Sequence, residues 1–407
     1  MSMRKCNAVA IMGTRPEGIK IAPVISALRE RSDEINTIVI STAQHRQMLD
    51  QVLSLFQITP DIDLNVMQPD QTLSNLTAQV IEVIEVTLQK LHPDLLLVQG
   101  DTTTAFASSL AAFYRKVPIA HIEAGLRSYD IYNPFPEEAN RKLTSVLADI
   151  HFAPTSLAAK NLIKEAVPRS KIVITGNTVV DSLKIFLNTP FNIDSSPLAK
   201  IPFDNYRVML VTSHRRESWG EELKNICLAL RDLTDRFHDL LVVYPVHMNP
   251  NVRKVVMSSL EGVERVHLIE PIDYLTFINL MQRSYIILTD SGGIQEEAPS
   301  LNKPLFVLRK LTERPEAFDR GLAKVIGTST VDIVTSATEL LSNFEAYKKM
   351  SQGDNPYGDG LASTRIAEAI CRWWRGAHPL LESAQEFSTT RPGINYESIN
   401  HWPESTT

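Results

Sequence analysis

Cysteine is scarce in this chain: Cys6, Cys227 and Cys371 are odd in number and far apart among 407 residues. They offer neither a disulfide framework nor a zinc-binding spacing, and they fit a reducing compartment. A surplus of one charge is also missing. Lys and Arg number 41 against 47 Asp and Glu, a formal net charge of −6 without long runs of one sign. Neither nucleic acid nor a membrane surface is therefore an expected partner, and an anionic ligand would need a local basic pocket. No stretch of about 18 apolar residues occurs, so no membrane span is expected. The opening MSMRKCNAVAIMGTRPEG holds one short apolar run that breaks into Gly-Thr-Arg-Pro-Glu, which reads as a first strand and not as a secretory signal. The expected location is the cytoplasm. A nicotinamide-type Gly-x-Gly-x-x-Gly is lacking, which disfavours hydride-shuttling chemistry. His121-Ile122-Glu123 has no Pro-Cys-x-x-Cys after it, which excludes a zinc deaminase.

What is present is alternation. Buried strands are expected at 7–12, 37–40, 94–98, 118–122, 150–152 and 171–174, with helices at 19–31, 45–56, 72–91, 104–115, 137–148, 156–166 and 178–187. The segment 188–205 carries Pro190, Pro197 and Pro202 without periodicity and reads as a linker. The pattern then restarts, with strands at 207–211, 240–244, 265–268, 285–288 and 304–308 and helices at 221–236, 252–260, 274–282, 295–300 and 331–341. Single cores stop growing near ~250–300 residues, so two doubly wound, Rossmann-like α/β domains are expected, at 1–187 and 206–360. A C-terminal helix at 361–376 should pack back on the first domain, and 377–407 should be a loosely ordered tail.

Ligands of such sheets sit at the carboxyl ends of the strands, and the candidate residues follow strands. Gly13-Thr14-Arg15-Pro16-Glu17 follows the first strand and opens a helix, whose N-terminus favours an anion and whose Arg15 can pair with phosphate. Asp290-Ser291-Gly292-Gly293 repeats the design in the second half, with Glu296 and Glu297 in the first helical turn. Asp101, Glu123 and Glu137 follow strands or an extended loop, and clustered acids suit proton transfer at a sugar ring. Asp101 could instead cap a helix, and Glu138 could be a first-turn acid. Glu123 ends an apolar run, where a carboxylate needs a partner. His214-Arg215-Arg216-Glu217 and His247 also follow strands and suggest a polyanion site. Asp61 and Asp63 resemble a metal pair but read as a solvated loop, and arginines with helix dipoles take a metal's place on the diphosphate, so no metal and no cofactor are expected.

GTRPEGIKIAPVI, AQHRQMLDQVL, GDTTT, HIEAGLR, PFPEEANR, TGNTVVDSL, VTSHRRES, YPVHMNPNVR, TDSGGIQEEAPSL, TERPE and NPYGDG stand in one order. From about Ala8 to Trp374 the chain closely resembles the bacterial non-hydrolysing UDP-N-acetylglucosamine 2-epimerases. The resemblance implies a GT-B-type fold with an interdomain active-site cleft, homodimerisation, and interconversion of UDP-GlcNAc and UDP-ManNAc for surface polysaccharide precursors. The implied mechanism is anti elimination of UDP to 2-acetamidoglucal and syn re-addition. It implies acid/base roles for Asp101, Glu123 and Glu137, and a diphosphate-side role in UDP departure for His214. Arg15 and Lys20 would contact the pyrophosphate or developing charge, Ser291, Gly292 and Gly293 the diphosphate, and Glu297 the ribose. A second, activating UDP-GlcNAc site is implied at Gln44, Gln47, Gln71, Glu137, Arg215 and His247. Small departures from the family pattern fall at Gly18, Ser213 and Arg309-Lys310-Leu311, and Ser213 and Lys310 are expected to alter the nucleotide pocket. The rivals are a hydrolysing epimerase, a GT-B glycosyltransferase and a catalytically silent nucleotide-sugar sensor.

Overall fold

In the computed structural model, residues 4–42, 46–66, 71–215, 219–310 and 312–389 are described, with 46–48 as backbone only. The first half supplies β1 (Cys6–Met12), α1 (Arg15–Arg29), β2 (Ile35–Ser41), α2 (Arg46–Leu55), β3 (Ile62–Asp63), α3 (Leu73–Leu91), β4 (Leu95–Gln99), α4 (Thr103–Tyr114), β5 (Ile119–Ile122), α5 (Glu137–Leu147), β6 (Ile150–Ala153), α6 (Ser156–Lys164), β7 (Ile172–Ile174) and α7 (Thr178–Leu187). Its seven described strands are all parallel, in the order β3-β2-β1-β4-β5-β6-β7. Parallel strands are covered on both faces, and β1 shows how. Ala8, Ala10 and Met12 enter one apolar cluster, while Val9 and Ile11 enter another on the opposite face.

The second half repeats the plan with β8 (Arg207–Thr212), α8 (Glu221–Arg236), β9 (Leu240–Pro245), α9 (Pro250–Leu260), β10 (Val266–Ile269), α10 (Tyr274–Arg283), β11 (Ile286–Thr289), α11 (Gly292–Glu297), β12 (Leu305–Val307), α12 (Glu316–Asp319), β13 (Ala323–Val325), α13 (Thr330–Ser342) and α14 (Phe344–Ser351). Six described strands run in the order β10-β9-β8-β11-β12-β13. The two parallel sheets make this a GT-B-like α/β fold.

The sheets do not hang on a bare tether. Ile19, Val52, Val179 and Leu183 from the first half share one apolar cluster with Leu210, Tyr274, Ile278 and Ile294 from the second. Leu198 and Ile201 of the proline-bearing linker are buried in the same cluster. The last helix, α15 (Ala362–Trp374), packs back into the first core through Ile366, Ala367 and Ile370. Asp181 of α7 latches its start, accepting from the Ala362 N–H at 3.2 Å, the Ser363 N–H at 2.7 Å and the Ser363 hydroxyl at 2.6 Å.

Several expectations are corrected. Helix α1 begins at Arg15 and not at 19, because Thr14 and Glu17 form a capping box. Asp61 and Asp63 are exposed, as a solvated loop requires, but Asp61 accepts from the Val39 N–H at 2.8 Å and Asp63 belongs to the edge strand β3 and not to a loop. The tail is ordered through 389. Leu380 and Leu381 are buried in the first core, and the Phe387 N–H donates to the Ile174 carbonyl at 2.8 Å. Residues 390–407 lie outside the described ones.

Candidate active site

The turn after β1 is closed from within. Glu17 is almost fully buried, and its carboxylate accepts from the Gly13 and Thr14 N–H groups at 3.1 and 2.7 Å and from the Thr102 hydroxyl at 2.6 Å. Those two N–H groups are therefore already satisfied from within the chain, and burial raises the Glu17 pKa. What the turn presents is Arg15, half-buried at the start of α1. Burial lowers its pKa, while Glu297 and Tyr274 of the second domain act against that.

Lys20 is buried one helical turn further on and pairs with Glu123. It was expected beside the pyrophosphate or developing charge, and here a carboxylate partners it. Glu123 follows β5 with φ +65°, a left-handed backbone that non-glycine residues adopt infrequently. Burial would raise its pKa, but Lys20 and Arg314 outweigh this and hold it at about 2. Two amides complete its shell: Gln99 donates at 2.5 Å and Asn177 at 2.8 Å.

Asp101 follows β4 and is clasped by Arg141 of α5, while Asn140 donates to its carbonyl at 3.0 Å. Glu137 opens α5, half-buried, and its pKa is raised by burial and by Asp101. Its neighbour Glu138 has a different task. Fully buried, it accepts from the Ser128 and Tyr129 N–H groups at 3.0 and 3.2 Å and from Arg141 at 3.0 Å.

On the second domain, Asp290 organises the loop after β8. One carboxylate oxygen accepts from the Ser213 hydroxyl at 3.0 Å and from the His214 and Arg215 N–H groups at 2.8 and 2.9 Å. The other lies 3.1 Å from His214 Nδ1. His214 stacks on His247, with centroids 5.6 Å apart and planes 17° apart. Burial, then His214, lowers the His247 pKa. Ser213 therefore braces Asp290, and Lys310 reaches outward to Glu222 at 3.2 Å on the surface. A Cβ at Gly292 would lie 2.7 Å from Arg314 Nη1, whereas nothing lies within 4 Å of one at Gly293. Glycine at 292 thus admits the guanidinium, and Gly293 leaves open space beside half-buried Ser291. Glu297 accepts from the buried Tyr274 hydroxyl, and burial lifts its pKa to about 7.

The residues missed by sequence reasoning join the domains. Arg314 pairs with Glu296 at 2.7 Å and with Glu313, and comes within 3.8 Å of Glu123. Lys20 lies 4.0 Å from Glu296, and the Asn177 amide touches both Glu123 and Glu296 at 2.8 Å. Arg314 stands in TERPE and Asn177 in TGNTVVDSL, so the motifs were visible, but the buried contacts of this guanidinium and this neutral amide gave no linear signal. Of the set expected at a second ligand site, Glu137 and Arg215 interact across the domains. Gln71 precedes α3 and donates to Gln79 at 2.7 Å. Gln44 lies outside the described residues, and Gln47 is a backbone position in α2.

The family profile described as UDP-N-acetylglucosamine 2-epimerase matches residues 26–371. The UDP-N-acetylglucosamine 2-epimerase of Escherichia coli is 50% identical over 369 residues, which cover 89% of this chain and 98% of that protein. Among solved structures, the UDP-GlcNAc 2-epimerase of Neisseria meningitidis bound to UDP-GlcNAc is similar, with a TM-score of 0.85 and 50% identity over 90% of this chain and 100% of that one. A glycosyltransferase from Rickettsia africae, at 14% identity and TM-score 0.60 over 91% and 99% of the two chains, shares the fold alone.

Proposed function

The chain belongs to the UDP-N-acetylglucosamine 2-epimerase family, and from that premise we propose that it interconverts UDP-GlcNAc and UDP-ManNAc without releasing free sugar. In the forward step a carboxylate takes the C2 proton, the C2–H electrons form the C1–C2 double bond of 2-acetamidoglucal, and the C1–O bond breaks to release UDP. Return of a proton to the other face of C2 and of UDP to C1 completes the inversion. Atoms and electrons balance without a cofactor. Asp101, Glu123 and Glu137 are the proton-handling groups. The environments of Glu123 and Glu137 push their pKa values apart, which suits a pair with different acid/base duties. Asp290-oriented His214 assists UDP departure. Arg15 and the Ser291-Gly292-Gly293 loop hold the diphosphate, Lys20 steadies developing charge through Glu123, and Glu297 accepts from ribose.

The observation that carries this reading is the meeting of the Glu123 carboxylate with Lys20 of its own domain and with Arg314 from the other. An NMR time course of UDP-GlcNAc in heavy water tests it. Expected are UDP-ManNAc and deuterium at C2. Protium retained at C2 of the product contradicts elimination, free N-acetylmannosamine with UDP favours the hydrolysing rival, and reaction only with an acceptor favours a glycosyltransferase.

The same proposal covers partners. UDP-GlcNAc is both substrate and activator, the latter at the set that includes Glu137, Arg215 and His247. A cytoplasmic place of work fits three cysteines that are all buried and free, and no described helix is long and apolar enough to cross a membrane. A second copy of the chain covers the exposed Phe113 and Tyr114 of α4 and Leu143 and Val146 of α5, two helices that pack together. Sedimentation should give a dimer that Val146→Asp weakens, and a monomeric wild type would refute this.

A further inference from the structure

Beneath the two carboxylates, β4 and β5 are tied to each other by side chains at their carboxyl ends. Val98 pairs with His121 and Gln99 with Ile122 in register. From β4, Gln99 reaches over and donates to the Glu123 carboxylate at 2.5 Å. From β5, His121 Nε2 reaches back to the Gly100 carbonyl at 2.7 Å, while the Gly100 N–H donates to the Ile122 carbonyl at 2.9 Å. A carbonyl only accepts, so the Nε2 position carries the proton and Nδ1 is bare. Burial lowers the His121 pKa to about 4, which keeps the ring neutral near neutrality. Both side chains are almost fully buried. Gly100 itself has φ +71°, and a Cβ there would lie 3.4 Å from Glu123 Oε2.

We propose that His121 and Gln99 form a reciprocal brace, each strand's side chain fixing the turn or carboxylate carried by the other, and so set the placement of Asp101 against Glu123. They are positioning residues. His121 acts through the Gly100 carbonyl on Asp101, and Gln99 acts on Glu123. The inference rests on the proposed proton-handling roles of those two acids. A packing role alone would require only shape at position 121, whereas the brace requires a donor that reaches Gly100.

The experiment compares His121→Leu, His121→Gln, Gln99→Leu and the His121/Gln99 double Leu variant with Asp101→Asn and Glu123→Gln. It measures kcat, KM, UDP affinity and melting temperature for each full-length protein. Misplacing a reacting group by an ångström costs about a hundredfold. His121→Leu and Gln99→Leu should each lower kcat about ten- to hundredfold with KM and UDP affinity nearly unchanged, and His121→Gln should restore part of the loss. In the double variant the losses should be less than multiplicative, because both act on one spacing. If His121→Leu fails to fold, Gln99→Leu and His121→Gln still decide. Full kcat in Gln99→Leu, or equal loss in a folded His121→Gln and His121→Leu, overturns the brace while Asp101→Asn and Glu123→Gln remain inactive. Active Asp101→Asn or Glu123→Gln would instead remove the acid/base roles on which the brace depends.

Discussion

Glu123, Glu137 and Glu297 carry the same side chain in three settings. Lys20 and Arg314 hold Glu123 at about 2 despite its burial, burial and Asp101 raise Glu137, and burial lifts Glu297 to about 7. Replacing one carboxylate oxygen by an amide nitrogen keeps the shape and blocks proton transfer. At Glu123 and Asp101 it also removes the charge facing Lys20, Arg314 or Arg141, so melting temperature is measured beside turnover. Asp101→Asn, Glu123→Gln and Glu137→Gln should each lower turnover by about 10²–10⁴-fold with UDP affinity largely kept; near-normal turnover in one would take that residue off the catalytic roster. Glu297 makes a different forecast. Its folded pKa lies above the reference 4.5, so its contribution to stability is complete below the unfolded value and is lost as pH rises through about 7. Urea denaturation should show Glu297→Gln gaining on wild type, by up to about 3 kcal/mol between roughly pH 5 and pH 8; a constant difference would mean that Glu297 is not so perturbed. At this scale the sequence revealed residues that follow strands, because position in a βαβ unit is linear information. It did not reveal Arg314, Asn177 or the closing of the Gly13 turn by Glu17, since each depends on which side chains meet in three dimensions.

Elements were legible where one signal dominated. Parallel strands buried on both faces leave short apolar runs, and long amphipathic stretches between them mark the helices. The misses share a cause: local chemistry or tertiary contact overrode the pattern. The capping box of Thr14 and Glu17 started α1 early, and β3 is only the two residues Ile62 and Asp63 on a sheet edge. The residues after Ala377 lack periodicity, yet Leu380, Leu381 and Phe387 find a ready surface formed by β7 and α15. That surface depends on the latch at Asp181, where one buried carboxylate satisfies three donors at the start of α15. Loss of a helix-capping side chain costs about 1–2 kcal/mol. Asp181→Ala should therefore lower the urea midpoint and speed proteolysis near Leu361 while leaving turnover little changed. Unaltered stability and proteolysis would show that apolar packing alone holds α15.

At the scale of the whole molecule, two kinds of contact join the domains. The shared apolar cluster of Ile19, Val179, Leu198, Tyr274 and Ile278 gives a broad, non-directional seam. The charges of Lys20, Glu123, Glu296 and Arg314 give a directional one. Buried ion pairs add little net stability, while a buried charge left without its partner is costly, so separating Arg314 from Glu123 and Glu296 carries a penalty. On the proposed activator reading, a ligand favours one domain arrangement only through unequal affinity for it and its alternatives. In that reading Glu137 on the first domain and Arg215 and His247 on the second would meet the ligand from both sides. Wild-type enzyme given pure UDP-ManNAc should therefore convert it slowly until a trace of UDP-GlcNAc is added, and UDP-GlcNAc itself should be turned over with sigmoidal dependence on concentration. His247→Ala should blunt the response to the trace while still binding UDP. His247 also stacks on His214, so a fall in its basal rate alone would not count; the measured quantity is the ratio of spiked to unspiked rates. Immediate full-rate conversion of unspiked UDP-ManNAc by wild type would show that no activator is required, and Arg215 and His247 would then serve only the catalytic diphosphate.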